Sequence, residues 1–189
     1  MRLLKPADYR VMPWKNGGGS TAELYRELAD PELPFLWRVS IAGVSADGPF
    51  SLFPGYDRHI LVLEGGGMVL EGGPDGPVNL TQHFQPRRFS GDWPIRASLR
   101  GSPLKDFNLM ALRSELDSDL RVAHLGQPQR LKAGLHQTLL VHIIGARVHA
   151  NGLWVANGES LVAVCGENVL LEPQDRAIAL IATVSGKHQ

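Results

Sequence analysis

His59-Ile60-Leu61-Val62-Leu63-Glu64-Gly65-Gly66-Gly67-Met68-Val69-Leu70-Glu71 carries the clearest structural signal in the chain. The apolar, branched run of four residues from Ile60 to Leu63 is too short for a helix and suits a buried strand. Three glycines then punctuate the chain, and Met68 to Glu71 resumes as a second short strand. Strand, glycine turn, strand is the signature of a β protein. Working outward, comparable runs occur at Leu36 to Ala42 and Phe107 to Leu112. The second half repeats them at Thr138 to Ile144, Leu153 to Val155, Ser160 to Val164, Asn168 to Leu171 and Ala177 to Thr183. Twenty-one glycines and thirteen prolines separate them. Helical periodicity is missing; residues 6–9 and Ser114–Asp119 have room only for a short helical turn. The expected class is therefore all-β, a sandwich or barrel.

With 189 residues the chain can bury a substantial core. Nineteen acidic and nineteen basic residues cancel, and no basic run exceeds Arg87-Arg88. That balance argues against a nucleic-acid surface or a polybasic membrane anchor. No stretch approaches the ~20 apolar residues of a membrane helix, and the first residues lack a signal-peptide pattern. The single cysteine, Cys165, precludes an internal disulfide. These features predict a soluble cytoplasmic protein.

A second informative stretch is Met12-Pro13-Trp14-Lys15-Asn16-Gly17-Gly18-Gly19-Ser20-Thr21. Backbone N–H groups in a glycine run can approach a ligand or another strand closely. The flanking cation, amide, hydroxyls and indole supply donors and a stacking face for a small anionic or planar molecule. The same residues also suit a plain turn before a strand that begins near Thr21.

Further motifs occur in order along the chain. Trp37-Arg38-Val39-Ser40-Ile41-Ala42 precedes Asp47-Gly48-Pro49-Phe50-Ser51-Leu52-Phe53-Pro54-Gly55-Tyr56-Asp57-Arg58. Then come Glu64-Gly65-Gly66-Gly67-Met68 and Asp106-Phe107-Asn108-Leu109-Met110. Together with Pro13-Trp14-Lys15-Asn16-Gly17-Gly18-Gly19 they resemble the HutD/Ves family over roughly residues 10 to 112. The resemblance implies a bicupin, two cupin-type jelly-roll barrels packed in one chain. The expected domains are 1–116, carrying the motifs and the ligand pocket, and 117–189, a second cupin-like barrel. The boundary is placed near Asp117 to Gln129, where the strand pattern lapses.

Metal-binding cupins use an H-x-H pair, a Glu a few residues on and a further His, because alternate strand residues share a face. The comparable strand here has His59 alone and an arginine, Arg58, which cannot ligate. His142 and His149 are too far apart for one short strand, although a loop between two strands could bring them close. No metal or other cofactor is expected. Gly17-Gly18-Gly19-Ser20-Thr21 lacks the lysine before the hydroxyl and the following helix of a phosphate loop. Gly65-Gly66-Gly67 lacks the dinucleotide pattern. No G-x-S-x-G elbow surrounds a serine, and Cys165 reads as a small core residue.

What remains suits a small carboxylate. Period-2 alternation places Arg38 with Ser40, Arg58 with Glu64, and Asp106 with Asn108 on common faces. A buried guanidinium needs a partner: Glu64, Asp106 or a ligand carboxylate in a bidentate contact. Alternatively, either arginine forms an internal ion pair that sets register. The candidate ligand-binding residues are Trp14, Lys15, Asn16, Gly17, Gly18, Arg38, Ser40, Ser51, Phe53, Arg58, Glu64, Asp106 and Asn108. No catalytic residue is assigned. Ser51 is read as a hydrogen-bonding residue, and Trp37 and Phe50 as apolar walls. The second barrel, with Arg147, His149, Trp154, Asn157 and Glu159, is read as packing and as a surface through which a homodimer could form.

The resemblance also implies a role in bacterial histidine utilisation: binding a pathway intermediate such as urocanate or formiminoglutamate, and so tuning flux. The expectation is a metal-free binding protein for a small carboxylate, with neither nucleic acid nor membrane as partner. The rival is a metal-independent isomerase or hydrolase drawing an acid/base pair from Glu64, Asp106 and His59. A regulator that acts by binding another protein is a third reading.

Overall fold

A computed structural model describes residues 1–14, 17–28 and 33–187. In chain order the strands of the described residues are β1 (Arg2–Leu4), β2 (Arg10–Pro13), β3 (Gly19–Glu27), β4 (Trp37–Val44), β5 (Gly48–Pro49), β6 (Tyr56–Glu64), β7 (Met68–Glu71), β8 (Val78–Leu80), β9 (Arg87–Ser90) and β10 (Arg96–Leu99). They continue as β11 (Leu104–Leu112), β12 (Leu116–Leu125), β13 (Gln129–Lys132), β14 (Gln137–Gly145), β15 (Val148–Ala150), β16 (Leu153–Val155), β17 (Ser160–Val164), β18 (Asn168–Pro173) and β19 (Ala177–Gly186). One 3₁₀ turn, Pro6–Asp8, falls within residues 6–9; its proline sits where a helix needs no N–H donor. The chain is all-β, and no helix among the described residues is long and apolar enough to cross a membrane.

Two compact units divide the chain: Arg10–Glu115, and Met1–Tyr9 together with Leu116–Gln189. The first nine residues thus leave the expected 1–116 domain, because β1 pairs with β17 through Arg2↔Val162 and Leu4↔Ser160. The expected lapse between Asp117 and Gln129 is also corrected. Most of it is β12, whose ten residues pair continuously with β19 from Leu116↔Gly186 to Leu125↔Ala177. Ser114–Asp119 accordingly holds a turn and the start of that strand, with no helix.

In the first unit a six-stranded sheet (β2-β3-β4-β11-β6-β9) and a four-stranded sheet (β5-β10-β7-β8) enclose a core. Val44, Ile60, Val62 and Leu104 from the larger sheet meet Met68, Leu70, Leu80 and Ala97 from the smaller. Each such large side chain removed from water contributes about 1.5–3 kcal/mol. The Gly65-Gly66-Gly67 turn joins the two sheets. Gly65 and Gly67 have φ of 95° and 86°, and a Cβ on Gly66 would lie 2.2 Å from the Arg100 carbonyl. Two of the glycines supply the left-handed backbone and the third supplies room.

The second unit is built alike, from β1-β17-β14-β19-β12 and β13-β18-β15-β16. Val141, Ile143, Leu161 and Ile181 pack against Leu131, Val148, Val169 and Leu171. Cys165 is exposed just after β17, which corrects its reading as a core residue. The strand ends at Val164, itself about half exposed, so the thiol lies on the turn beyond the sheet.

The Gly17-Gly18-Gly19 run turns β2 into β3. Trp14 N–H donates to the Gly19 carbonyl at 2.9 Å, and Gly17 adopts φ 70°. A Cβ on Gly19 would lie 2.0 Å from the Gly43 carbonyl and 3.0 Å from the Trp14 ring. This glycine is therefore required by the close approach of β4. Gly19→Ala is expected to lower stability by about 1–3 kcal/mol, as overpacking does. An unchanged urea midpoint would show that the approach is not needed.

Candidate functional site

The interior face of the six-stranded sheet carries a polar patch assembled by strand register. Residues directly opposite in antiparallel strands share a face. One row runs Arg38–Met110–Arg58–Phe89 across β4, β11, β6 and β9. The next is Glu23–Ser40–Asn108–Ile60, and the third Thr21–Ala42–Asp106–Val62. Successive rows lie roughly 6.7 Å apart along the strands. Ile60 and Val62 place this face against the core between the sheets. Two arginines therefore stand at one end, Asp106 at the other, and Ser40, Asn108 and Glu23 between them.

These groups are buried: Arg58 is 6% exposed, Asp106 1%, Asn108 6% and Ser40 3%. Yet Arg38 Nε, Arg58 Nε, Asp106 Oδ1 and Asn108 Oδ1 have no hydrogen-bond partner. An unmet buried polar group costs about 1–3 kcal/mol, more if charged, so four in one patch call for an explanation. Arg58 Nη1 reaches only the Ser51 carbonyl, at 3.4 Å, and Arg38 Nη2 only the Met110 sulfur, at 3.4 Å. Aromatic rings cushion both cations. The Arg58 Cζ lies 5.1, 5.8 and 5.0 Å from the centroids of Phe50, Phe53 and Phe89. The Arg38 Cζ lies 5.0 Å from Phe35 and 5.4 Å from Phe53. Phe53 is thus shared, and it fixes both guanidiniums beside one ring.

Arg113 shows what a structural arginine in the same unit looks like. It donates to Asp57 at 2.7 Å, Asp92 at 2.9 Å, Ser90 at 2.7 Å and the Tyr56 carbonyl at 3.0 Å. Those bonds raise its pKa, whereas burial lowers that of Arg58 to about 10. Burial likewise lifts Asp106 to about 7, and the positive field of Arg58 only partly opposes it. The patch is a set of charges held apart without mutual ion pairing.

Of the residues expected at the site, Arg38, Ser40, Phe53, Arg58, Asp106 and Asn108 come together here. Ser51 contributes its carbonyl. Trp14 packs on the adjacent core, and its Nε1 donates to Thr21 Oγ1 at 2.8 Å, at the Asp106 end. The Gly18 carbonyl is taken by Ser45, at 3.0 Å from both its N and its Oγ. Lys15 and Asn16 lie outside the described residues. Glu64 is corrected. Register shifts between Lys105 and Asp106, so that Lys105 pairs with Glu64 while Asp106 pairs with Val62. A bulge adds one residue to a strand and reverses the face of the residues beyond it. Glu64 therefore forms an exposed 2.7 Å ion pair with Lys105 and does not share a face with Arg58. With Gly17, Gly19, Ser20 and Gly43 it lines a separate open groove of about 490 Å³. Glu23, Phe35 and Phe89 belong to the patch and were not anticipated; Glu23 is two residues from Thr21, so alternation alone could have found it.

The patch does not fit the metal set of cupins, since it offers two guanidiniums, Asp106 and an Arg26-paired Glu23, and no histidine. His59 alternates with Arg58 and occupies the opposite face. His142 and His149 stand in different sheets of the second unit. His142 Nδ1 lies 2.9 Å from Ser160 Oγ, and His149 Nδ1 3.1 Å from Glu172. Among the described residues no three His, Cys, Asp or Glu side chains converge.

A cupin-like all-β chain with a buried patch of unmet donors and acceptors is the class defined by this fold and geometry. The chain belongs to the HutD family, which it matches over residues 6–182. It is 42% identical over 112 residues to a 21.2 kDa protein encoded in the hutC 3′ region of Pseudomonas putida, covering 58% of this chain and 57% of that one. Protein Ves of Citrobacter koseri is 41% identical over 120 residues, covering 61% and 62%. The matched stretch thus spans about three fifths of these relatives. The structure of HutD from Pseudomonas fluorescens SBW25 superposes with a TM-score of 0.84 at 30% identity, covering 99% of each chain.

Proposed function

We propose that the first unit binds a small carboxylate from histidine degradation, urocanate or formiminoglutamate, without a metal, and that this binding tunes pathway flux in the cytoplasm. The carrying observation is the buried Arg58 and half-buried Arg38, whose Nε atoms are out of water and lack partners, on one face with the unmet oxygens of Asp106 and Asn108. A ligand carboxylate between Arg38 and Arg58 would complete both forks. A nitrogen-bearing end would satisfy Asp106 and Asn108 one to two rows away. Phe53 and Phe50 offer flat walls, in keeping with a site of apolar lining and a few convergent polar groups. Family membership and a relative encoded beside hutC favour the histidine pathway.

The rival isomerase or hydrolase loses support from the geometry. Glu64 and His59 point away from this face, so of the three residues expected to supply an acid/base pair only Asp106 stands on it.

The test is thermal unfolding with urocanate and with formiminoglutamate, each with and without EDTA. Ligand at a hundred times its Kd adds about 2.7 kcal/mol, or roughly 5–10 °C for a chain of this size. The shift should survive EDTA and vanish in Arg58→Ala, while Glu64→Gln should retain it. No shift with either compound would sink the histidine-pathway reading, and product accumulating with time would replace binding by catalysis.

A further inference from the structure

We propose that Asp106 sets which ligands the site accepts. Ionised, it takes carboxylates whose far end donates N–H. Protonated, it donates to a second carboxylate, so one site exchanges amino-type carboxylates for dicarboxylates as pH falls. The inference rests on the carboxylate-binding reading above and extends it to the other end of the ligand.

Asp106 is 1% exposed, and its Oδ1 lacks a partner on the face where the arginines stand. It lies two rows from Arg38 and Arg58, so a carboxylate held by the arginines projects its far end toward it. The neighbouring Asn108 Oδ1 is also unmet, but an amide accepts through Oδ1 and donates through Nδ2 at any pH, so it serves either kind of ligand end. Discrimination therefore falls to Asp106, the one group there that can change from acceptor to donor.

The charged groups facing it are Arg58 from β6, Arg38 from β4, Glu23 from β3 and Arg87 from β9. Glu23 is engaged by Arg26 at 3.6 Å, and Arg87 by Gln85 at 2.7 Å. The facing four-stranded sheet contributes Met68, Leu70, Leu80 and Ala97, which carry no charge. Nothing nearby holds Asp106 firmly in either state, and burial brings its midpoint to about 7. An incoming anion favours the protonated form and an incoming N–H donor the ionised one.

Fumarate and trans-4-aminocrotonate are matched in length and planarity and differ at one end. Calorimetric titration of each at pH 6 and pH 8 tests the proposal. Fumarate should bind about tenfold more weakly at pH 8, and the amino compound about tenfold more tightly, following the protonation of one group. Fumarate binding at pH 8 should take up close to one proton, read from heats in buffers of different ionisation enthalpy. Asp106→Asn can donate and accept at any pH, so both dependences should flatten. Affinities equal at the two pH values, or slopes retained in Asp106→Asn, would overturn the selector while leaving the carboxylate site standing. Absence of binding by both probes at both pH values would overturn the two together.

Discussion

Arg58→Met should make the unliganded protein more stable and leave it unable to hold a carboxylate. The wild-type guanidinium is almost wholly buried, has one 3.4 Å bond to the Ser51 carbonyl, and keeps its Nε unmet. The rings of Phe50, Phe53 and Phe89 recover part of the lost hydration, on the order of 2 kcal/mol for a desolvated cation over aromatics. Desolvation of the ion still dominates, as its lowered pKa of about 10 records. Below that pH the charge is present and opposes folding. Methionine fills similar space and makes sulfur–aromatic contacts with the same rings. Replacing buried charge by apolar volume gains about 1–4 kcal/mol in comparable settings. Denaturant midpoints with and without urocanate check both halves. A loss of several kcal/mol would instead mark Arg58 as a fold keystone and remove the reason to assign it to a ligand.

Asp106→Asn should abolish a stability slope that the parent shows between about pH 4 and pH 7. The folded-state pKa of Asp106 is raised by burial to about 7, whereas the unfolded chain titrates near 3.8. In that window the folded state keeps a proton that the unfolded state has released, so stability falls as pH rises. Three pH units at ~1.4 kcal/mol each set a ceiling of about 4 kcal/mol. The variant should match the parent at pH 4 and exceed it by about 2–4 kcal/mol at pH 8. Parallel stability curves for the two proteins would show that Asp106 does not titrate in this range.

Much of the strand pattern was legible because glycines and prolines bracket short apolar runs. Met68–Glu71, Leu153–Val155 and Ser160–Val164 fall at the expected residues. The pairing of Arg38 with Ser40 and of Asp106 with Asn108 on common faces came from alternation within single strands. Alternation failed where a strand is not regular. The bulge opposite Lys105/Asp106 reversed Glu64, and no residue near it announces an extra residue in β6. Strand β12 was hidden because its buried residues, Leu116, Leu120 and Leu125, are spaced by four and five among Asp117, Asp119, Arg121 and His124. A spacing of four is shared by a strand and a helix, and polar Ser118 on the inward side between Leu116 and Leu120 masks the alternation that decides for a strand. Register across strands, which gathers Arg38 and Arg58 beside Met110, is a long-range property that no local pattern encodes.

The pairing of β1 with β17 makes the two halves unequal in how they assemble. All strands of both sheets in the first unit come from one continuous stretch, Arg10–Glu115. The second unit must recruit Arg2–Leu4 to Ser160–Val162, with that whole stretch intervening in the chain. Closing so long a loop costs little more free energy than closing a shorter one, since the penalty grows only with the logarithm of length. It does cost time, because distant pairings wait on everything between them. Two units of matching design therefore differ in contact order: one can be completed from its own segment, and the other stays one edge strand short until the far end of the sequence comes back to meet it.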